Sequence, residues 1–581
     1  MRGHQLFLST CASLLGLVPG HGRAQDIIPP KTYTTSPTGI NLADASFTYS
    51  KTDIAIGMLK LERFHVGSYD TDPNTMFFGK HTSHNFDIYV GRRVVGANDY
   101  RAIVHMGTSA SGTYYEGASS ISPGNRDAES GTLVKTSGNY VYTDQAGTVY
   151  AFTSSVPAAG AVTGTGSQRV STITFPDGRV QTFSYVSGQL KLVSDTAGYA
   201  IVFEYGSNGR VSAACGFNLS QTYVTTSTSC SGAPLATSYG YSGTTLTSTT
   251  DVTNQTTSYT WGTYGITCVT PPGYSTCKIA NSYLGTQVNQ QTLADGSVWL
   301  FGADLAAGYT VDESTEYPNG SNNGGYVDPN GKYYGMWFTK STPYSVTDPN
   351  GNTTEFRFMG ARDYHSTTLN TPMSEGSLMT EATLPEGNKY VATYDGSNNI
   401  TKQEMQAKPG SGLADLEVEF GYNYSGTPQN RAKPVWKKNA KGNQTDYAHN
   451  SWGGITSEMQ PAPSSGAARP LKLYDYVQKY AYVKNSGGSL VASSTAIWLP
   501  DTATVCQTAT GSNPAASCDT GAPITVTSYE YGANGVADNL LLRGKVVTSG
   551  SVSLRTCYGY DTLGRKIWET SPRGTTSSVC Q

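Results

Sequence analysis

Apolar and polar residues alternate along much of this chain, and glycines interrupt the alternation at nearly regular intervals. In residues 171–214 the turn glycines are Gly178, Gly188, Gly198 and Gly209, at spacings of 10, 10 and 11 residues. Between two of them, residues 199–205 read Tyr-Ala-Ile-Val-Phe-Glu-Tyr, with every second residue large and apolar. This period of two, broken by turn residues, predicts an antiparallel meander of strands, since a helix would need a period near 3.6 residues.

The alternating pattern itself repeats, with a period of two strands. Tyr185 and Tyr205 are 20 residues apart, and so are Tyr241 and Trp261. Looser copies follow turn-like sequences at 347–352, 384–388, 394–400, 439–443 and 560–567. A fixed period of about 20 residues is typical of a repeat architecture.

Composition agrees with short strands and tight turns, and it argues against a nucleic-acid partner. The 581 residues include 65 glycines and 40 tyrosines, while only 14% are charged. Tyrosine suits a half-buried strand surface and glycine suits turns. The formal net charge is −3, and no long basic run occurs, so the electrostatic surface that nucleic acids require is not indicated.

The N-terminus has the pattern of a cleavable signal peptide over residues 1–24. Arg2 precedes an apolar stretch from Leu6 to Val18, and Gly22 and Ala24 place small residues before the expected cleavage site. A buried N-terminal helix is the alternative. We expect the mature chain to be secreted or on the cell surface, in the periplasm or outside the cell. No later stretch is apolar enough for a membrane span after signal cleavage.

Eight of the nine cysteines would remain after signal cleavage, which removes Cys11. In an exported chain, cysteines close in sequence predict up to four local disulfides. Free buried thiols are an alternative, and a zinc site is disfavoured because no Cys-x2-Cys spacing and no nearby histidine occur. The candidate pairs are Cys215/Cys230, Cys268/Cys277, Cys506/Cys518 and Cys557/Cys580.

The repeat units carry a family resemblance. Tyr560–Ile567, which reads Tyr-Asp-Thr-Leu-Gly-Arg-Lys-Ile, resembles the YD repeat of RHS proteins, and Asp348–Asn352 is similar to the turn before its strand pairs. Phe203–Val211, Tyr394–Thr401 and Tyr447–Ile455 resemble looser forms, and the resemblance spans most of residues 30–581. The residues that match the motif are Tyr205, Gly209, Arg210, Tyr394, Asp395, Gly396, Tyr560, Asp561, Gly564 and Arg565.

The resemblance implies an all-β fold, an antiparallel meander of YD-repeat hairpins that coils into a spiral sheet or partial β-shell. The chain would be a short or truncated member of the family. We expect a signal peptide followed by an N-terminal β-rich entry domain, a first repeat block, an irregular β segment with a polar insertion, and a second repeat block. These correspond to residues 1–24, 25–165, 166–265, 266–345 and 346–581.

Candidate catalytic and metal-binding residues are few. His81 and His84 with Asp87 look like metal ligands, but on a strand the two histidines would lie on opposite faces, so a structural role is favoured. The segment Asp70–Asn74 begins like a calcium loop, yet it lacks the glycine and glutamate that follow in an EF-hand. The acidic cluster in the polar insertion is more typical of a solvated loop than of a glycosidase pair; it comprises Asp312, Glu313 and Glu316.

We therefore expect an exported, non-catalytic RHS/YD-repeat scaffold that acts in contact with other cells or in toxin delivery. No catalytic motif, cofactor site or metal site is predicted. The expected partners are a carbohydrate, a cell-surface molecule or an encapsulated passenger that is encoded separately. The alternatives are a carbohydrate-binding surface module, with sugars stacked on tyrosine and tryptophan, and a glycoside hydrolase, which the sequence disfavours.

Overall fold

A computed structural model describes most of the chain after its N-terminal region. The described residues are 36–41, 45–65, 77–79, 81–96, 99–107, 110–116, 121–123, 131–153, 167–285, 287–303, 310–311, 325–327, 333–337, 344–358, 379–395, 399–511, 516–572 and 580. Within these ranges the chain forms 42 β-strands and one short 3₁₀ helix, Pro428–Asn430. The predicted signal peptide and Gly396 lie outside the described residues.

The first seven strands form two groups. An antiparallel three-stranded sheet contains β1 (Ser50–Ile56), β2 (Leu59–His65) and β3 (Thr82–His84). The next strands pair in sequence and join the main sheet through β4; they are β4 (Ile88–Gly96), β5 (Asp99–Met106), β6 (Ala110–Glu116) and β7 (Ile121–Pro123).

The first part of the main sheet is a run of short strands, each antiparallel to the next. It contains β8 (Thr132–Thr136), β9 (Asn139–Thr143), β10 (Val149–Thr153), β11 (Gln168–Thr174), β12 (Val180–Val186), β13 (Gln189–Asp195), β14 (Tyr199–Tyr205), β15 (Val211–Asn218), β16 (Leu235–Ser242), β17 (Thr245–Thr250), β18 (Thr256–Trp261), β19 (Ile266–Thr270), β20 (Ile279–Leu284), β21 (Gln287–Leu293) and β22 (Val298–Ala303).

Three short strands interrupt the run: β23 (Thr310–Val311), β24 (Gly325–Val327) and β25 (Tyr333–Trp337). The main sheet then resumes with β26 (Tyr344–Thr347), β27 (Thr353–Phe358), β28 (Met379–Thr383), β29 (Lys389–Tyr394), β30 (Ile400–Gln406), β31 (Leu416–Tyr422), β32 (Pro434–Lys438), β33 (Gln444–His449), β34 (Ile455–Met459) and β35 (Pro470–Lys479).

A small hairpin, β36 (Tyr482–Lys484) and β37 (Leu490–Ala492), precedes the last strands. These are β38 (Ile497–Gln507), β39 (Thr525–Tyr531), β40 (Leu542–Ser549), β41 (Val552–Tyr560) and β42 (Lys566–Glu569). The predicted all-β antiparallel meander is thus confirmed, and the long sheet is not closed. It has the predicted two strands per repeat, and the turn glycines take the left-handed backbone that L-residues avoid, as at Gly188 (φ 78°) and Gly209 (φ 72°).

The meander bends back so that its late strands meet its early ones. The Trp498 amide donates a hydrogen bond to the Asp177 carbonyl at 2.8 Å, and the Lys484 amide donates to the Leu219 carbonyl at 2.8 Å. Asn218, at the end of β15, donates through its side chain to the Thr562 carbonyl at 2.9 Å, across 344 residues of sequence. Strand twist favours such coiling in a long sheet.

One hydrophobic core joins the chain before β4 to the main sheet. We call residues 36–65 and 77–86, within the described ranges, the inner segment. Its apolar residues share a core with one face of β11–β29, which we call the inner face; they include Ile40, Phe47, Ile54, Ile56, Leu59, Leu61, Phe78 and Phe86. A second, smaller cluster on the opposite face surrounds the Cys215–Cys230 disulfide.

Candidate functional site

A β-bulge recurs at the aromatic residue near the end of the first strand of successive hairpins. In the β12–β13 hairpin the register shifts between Ser184 and Tyr185, so that Tyr185 pairs with Leu190. The same shift occurs at Tyr205, Tyr241, Trp261, Tyr283, Tyr394, Tyr422, Tyr476, Tyr531 and Tyr560. Because a bulge leaves main-chain groups outside the regular ladder, these positions need additional hydrogen-bond partners.

Side-chain hydrogen bonds connect these aromatic residues from one hairpin to the next. The Tyr205 hydroxyl donates to the carbonyl of Leu190, the residue paired with Tyr185, at 2.9 Å. The Tyr560 hydroxyl donates in the same way to Leu542, the residue paired with Tyr531, at 2.8 Å. Seven further donor–acceptor pairs follow this rule: Tyr241–Val211, Trp261–Leu246, Tyr283–Ile266, Tyr394–Met379, Tyr422–Ile400, Tyr476–Ile455 and Tyr531–Pro500.

We call these nine donors the aromatic ladder. They lie on the inner face and on its continuation through β30–β41, as the strand registers show. Tyr205, Tyr241 and Trp261 pack against the core that contains the inner segment. Burial raises the pKa of Tyr205, which keeps its hydroxyl protonated as a donor. Each of these nine hairpins is thereby connected to its predecessor by one side-chain bond in addition to main-chain pairing, as expected of a stack of nearest-neighbour units.

The inner segment is held on the inner face by a buried charged group. Arg63 forms a two-pronged ion pair with Asp53, with Nε 2.9 Å from Oδ2 and a second nitrogen 3.2 Å from Oδ1. The sheet contributes the Tyr239 hydroxyl, which donates to Asp53 at 2.9 Å, and the Tyr259 hydroxyl, which accepts from Arg63 at 3.1 Å. A charge pair in the interior is tolerated only when its remaining groups are bonded, so this network specifies where the inner segment docks.

The electrostatics of this network favour a charged Arg63 and a neutral Tyr239. Burial alone would lower the pKa of Arg63, but Asp53 and the neighbouring tyrosines outweigh it and hold that pKa well above its ordinary value. Burial, with a further contribution from the Asp53 carboxylate, raises the pKa of Tyr239, so its hydroxyl stays a donor.

The inner segment covers the inner face of the early strands, whereas the same face of the last strands is exposed. Strand register carries the same face from Tyr239 in β16, which is 7% exposed, to Val505, Val552 and Leu554 in β38–β41. Those three apolar side chains are 45%, 59% and 39% exposed. We call the inner face of β35–β42 the open face, since no described residue covers it as the inner segment covers β14–β18.

Three half-buried aromatic rings lie together at the beginning of the open face. The indoles of Trp452 and Trp498 stack at 15°, with ring centroids 5.9 Å apart, and Tyr476 meets Trp452 edge-on at 4.8 Å. Half-exposed parallel indoles offer an apolar surface with a polar N–H, which suits sugar rings as well as peptide side chains.

The histidines of the metal look-alike do not form a metal site. His84 lies at the end of β3, inside a group of phenylalanine rings, and burial lowers its pKa to about 4. His81 precedes the strand with a left-handed backbone (φ 54°), and Asp87 pairs with Arg169 at 2.9 Å. No group of three or more potential ligands occurs among the described residues. The calcium-like and acidic segments predicted from sequence lie outside them.

The eight cysteines among the described residues form four local disulfides. The bonds are Cys215–Cys230, Cys268–Cys277, Cys506–Cys518 and Cys557–Cys580. They span 15, 9, 12 and 23 residues respectively. Disulfides of this kind are typical of proteins outside the reducing cytosol.

The motif residues of the last repeat form a self-capped turn. The Asp561 carboxylate accepts the amides of Leu563 and Arg565 at 3.0 and 2.9 Å, and it also pairs with the Arg565 guanidinium at 2.7 Å. Gly564 has a φ of 77°, which explains a glycine at that position. Asp395 plays the same part after Tyr394, since it accepts the Asn399 amide at 2.9 Å. Arg210 follows the turn glycine Gly209 and is buried.

The sequence interpretation missed the inner segment and its charged pair. Strand β2 places Leu59, Leu61, Arg63 and His65 on one buried side. A charged residue within an alternating apolar series is the signal that could have indicated a buried polar partner. The series did not reveal the contribution of the sheet, because Tyr259 is 196 residues from Arg63 and Tyr239 is 186 residues from Asp53.

A small cleft lies where the late turns meet the early strands. Its volume is about 260 Å³, and it is lined by the loop after β15 and by Thr562 and Leu563. Beside it, the Asp538 carboxylate accepts hydrogen bonds from Asn218, Ser220 and Gln221 at 2.6, 3.0 and 3.0 Å. These hydrogen bonds connect the loop after β15 to residues 538 and 562 of the last repeats. The side-chain amide of Asn218 already has its hydrogen-bond partners there.

Comparison with known proteins leaves the family open. No family model and no curated protein matches the chain. The chain is similar to solved structures of TcdB2-TccC3 without its hypervariable C-terminal region (11% identity, TM-score 0.26, 85% of this chain and 26% of that chain). It is also similar to a Photorhabdus luminescens Tc holotoxin pore (10% identity, TM-score 0.23, 90% and 27%). The chain spans about a quarter of the length of those chains.

Among the described residues, no helix is long and apolar enough to cross a membrane.

Proposed function

We propose that this chain is an exported, non-catalytic scaffold of the RHS/YD-repeat type. In this proposal its open face holds a separately encoded passenger polypeptide, for use in cell contact or toxin delivery. The aromatic ladder is the main support for the proposal. In both halves of the chain the motif tyrosines Tyr205, Tyr394 and Tyr560 make the same hydrogen bond to the preceding hairpin. The four disulfides support a location outside the cytosol.

The inner face itself indicates what kind of ligand it suits. Early in the meander the face is covered by a polypeptide, namely the alternating strands β1 and β2 of the same chain. The open face continues that surface with exposed apolar side chains at Val505, Val552 and Leu554, among tyrosines. Tyrosine provides large contact area with an adaptable hydroxyl, so the continued surface is suited to another extended polypeptide.

A binding titration with an unfolded polypeptide tests the proposal. Fluorescein-labelled, reduced and carboxymethylated α-lactalbumin would be titrated with the mature chain, and anisotropy would be measured. We expect saturable binding that weakens at least about tenfold in the Val505→Glu/Leu554→Glu variant, since each charge would be placed at an apolar contact. The control, matched in charge, is Leu413→Glu/Val134→Glu, which changes side chains that are 75% and 51% exposed, in the β30–β31 loop and on β8.

Two outcomes would contradict this proposal. One is the absence of saturable binding by the wild-type chain under conditions in which circular dichroism shows a folded β-protein. The other is an equal loss of affinity in the control variant, which would show that binding follows net charge and not the open face.

A carbohydrate ligand is the second candidate, and the stacked indoles of Trp452 and Trp498 favour it. Sugar rings pack their C–H faces on such indoles. Titration with cello- and malto-oligosaccharides would then change tryptophan fluorescence, and Trp498→Ala would abolish the change. Trp436→Ala, which alters an indole lying over Gly421 on the opposite face, should leave it intact. A flat titration with the wild-type chain would remove this candidate.

A further inference from the structure

Two histidines of the inner segment are buried in surroundings that suit only the neutral imidazole. His84 is 1% exposed, and neither of its ring nitrogens has a hydrogen-bond partner among the residues that the structure describes. His65 is 5% exposed; its Nδ1 lies 2.9 Å from the His81 carbonyl, and its ring meets the Trp261 indole with centroids 5.1 Å apart. The rings around His84, at 5.2–6.3 Å between centroids, belong to Phe77, Phe78, Phe86 and Phe203.

We propose that the inner segment is an acid-released cover: protonation of His65 and His84 detaches the inner segment from the inner face of β14–β18. Both histidines lie between the inner segment and the sheet, because Phe203 belongs to β14 and Trp261 to β18. A charge formed there can regain water only if the segment leaves the face. The inference rests on this packing and not on the proposed scaffold function.

The charged groups around the two histidines do not compensate a new positive charge. Arg63, on the same strand as His65, and His81 both disfavour protonation of His65. Tyr283, whose hydroxyl lies near the same spot beside Gly265, stays neutral because burial raises its pKa. His84 has Asp87 and Arg169 nearby. Asp87 favours protonation of His84 and Arg169 disfavours it, and the Asp87 carboxylate is already paired with Arg169 at 2.9 Å.

The size of the effect follows from proton linkage. Burial lowers the pKa of His65 to about 3 and that of His84 to about 4, from 6.5 in the released segment. Since the released state binds more protons below pH 6.5, docking is weakened as the pH falls from 6.5 towards 4. At pH 5 each histidine shifts the equilibrium about 30-fold towards release, and together they shift it about 10³-fold.

Hydrogen–deuterium exchange of the mature chain at pH 7.5 and 5.0, corrected for intrinsic rates, tests the inference. We expect the amides of β1 and β2 to lose up to about 10³-fold protection at pH 5, while those of β38–β41 keep theirs. The His65→Gln/His84→Phe variant should keep its protection, because Gln retains a donor for the carbonyl and Phe fits the aromatic surroundings. His449→Gln, at a half-buried histidine of the second repeat block, should behave as wild type.

An engineered disulfide provides a second test that does not depend on the folding of the histidine variant. A Cβ atom at Gly216 would lie 3.6 Å from that of Ile56, which is within disulfide range. The Ile56→Cys/Gly216→Cys chain should therefore show no acid-dependent loss of protection. The inference is overturned if the wild-type inner segment stays protected at pH 5, if the histidine variant loses protection equally, or if all strands lose protection together.

Discussion

The ion pair between Asp53 and Arg63 offers the sharpest test of how the inner segment is held. Asp53→Asn preserves the side-chain shape but leaves the Arg63 guanidinium, whose side chain is 3% exposed, without an anion. Breaking a buried pair on one side costs about 3–5 kcal/mol, because the other charge stays buried and unpaired. Replacing both partners, in Asp53→Leu/Arg63→Met, removes both charges and leaves chiefly the Tyr239 hydroxyl without its acceptor. That costs about 1–3 kcal/mol.

Equilibrium urea unfolding, followed by far-UV circular dichroism and tryptophan fluorescence, would measure these differences. We expect the double variant to be more stable than Asp53→Asn or Arg63→Met alone, by about 2 kcal/mol. Tyr259 should be less affected, because its hydroxyl also bonds Thr249 at 3.2 Å. A double variant that loses the sum of the two single losses would refute the reasoning. So would an Asp53→Asn chain within about 1 kcal/mol of wild type.

Further predictions concern the aromatic ladder, the Cys557–Cys580 disulfide and Gly421, a glycine in close contact with a tryptophan ring. Tyr531→Phe should cost about 1 kcal/mol in urea unfolding through the lost bond to the Pro500 carbonyl, whereas Tyr529→Phe on the same strand should cost less. Cys580→Ser opens a loop of 23 residues and should cost about 3 kcal/mol, seen as a lower melting temperature in calorimetry. At Gly421 a Cβ would lie 2.1 Å from a tryptophan ring, so Gly421→Ala should cost about 1–3 kcal/mol. Gly487→Ala, whose Cβ would meet nothing nearer than 3.4 Å, should be close to neutral in the same assay.

The local part of this fold could be predicted from sequence because its signals are local. Alternation in residues 199–205 fixes a strand, and the turn glycines fix where one strand ends and the next begins. A meander pairs each strand with its sequence neighbour, so the topology followed from the order of the elements. The disulfides could be predicted for the same reason, because the cysteines of each pair are only 9 to 23 residues apart.

The candidate site could not be predicted in the same way, because it depends on contacts between distant residues. The carbonyl that Tyr241 reaches is 30 residues earlier and is set by a bulge in the previous hairpin, which alternation alone does not show. Asp53 and Tyr239 are 186 residues apart, and either could have been an ordinary surface residue. The sequence therefore indicated which face each tyrosine occupies, but not that the beginning of the chain covers part of that face.

The placement of the inner segment also fixes the order in which the molecule can be completed. A ribosome or an export channel delivers Asp53 and Arg63 long before Tyr239 and Tyr259, so the ion pair lacks its two hydroxyl partners until nearly two hundred further residues have followed. Loop closure over such a span is slow compared with hairpin formation. The region made first therefore reaches its final position late, and until then the apolar side of its small sheet stays uncovered by the main sheet.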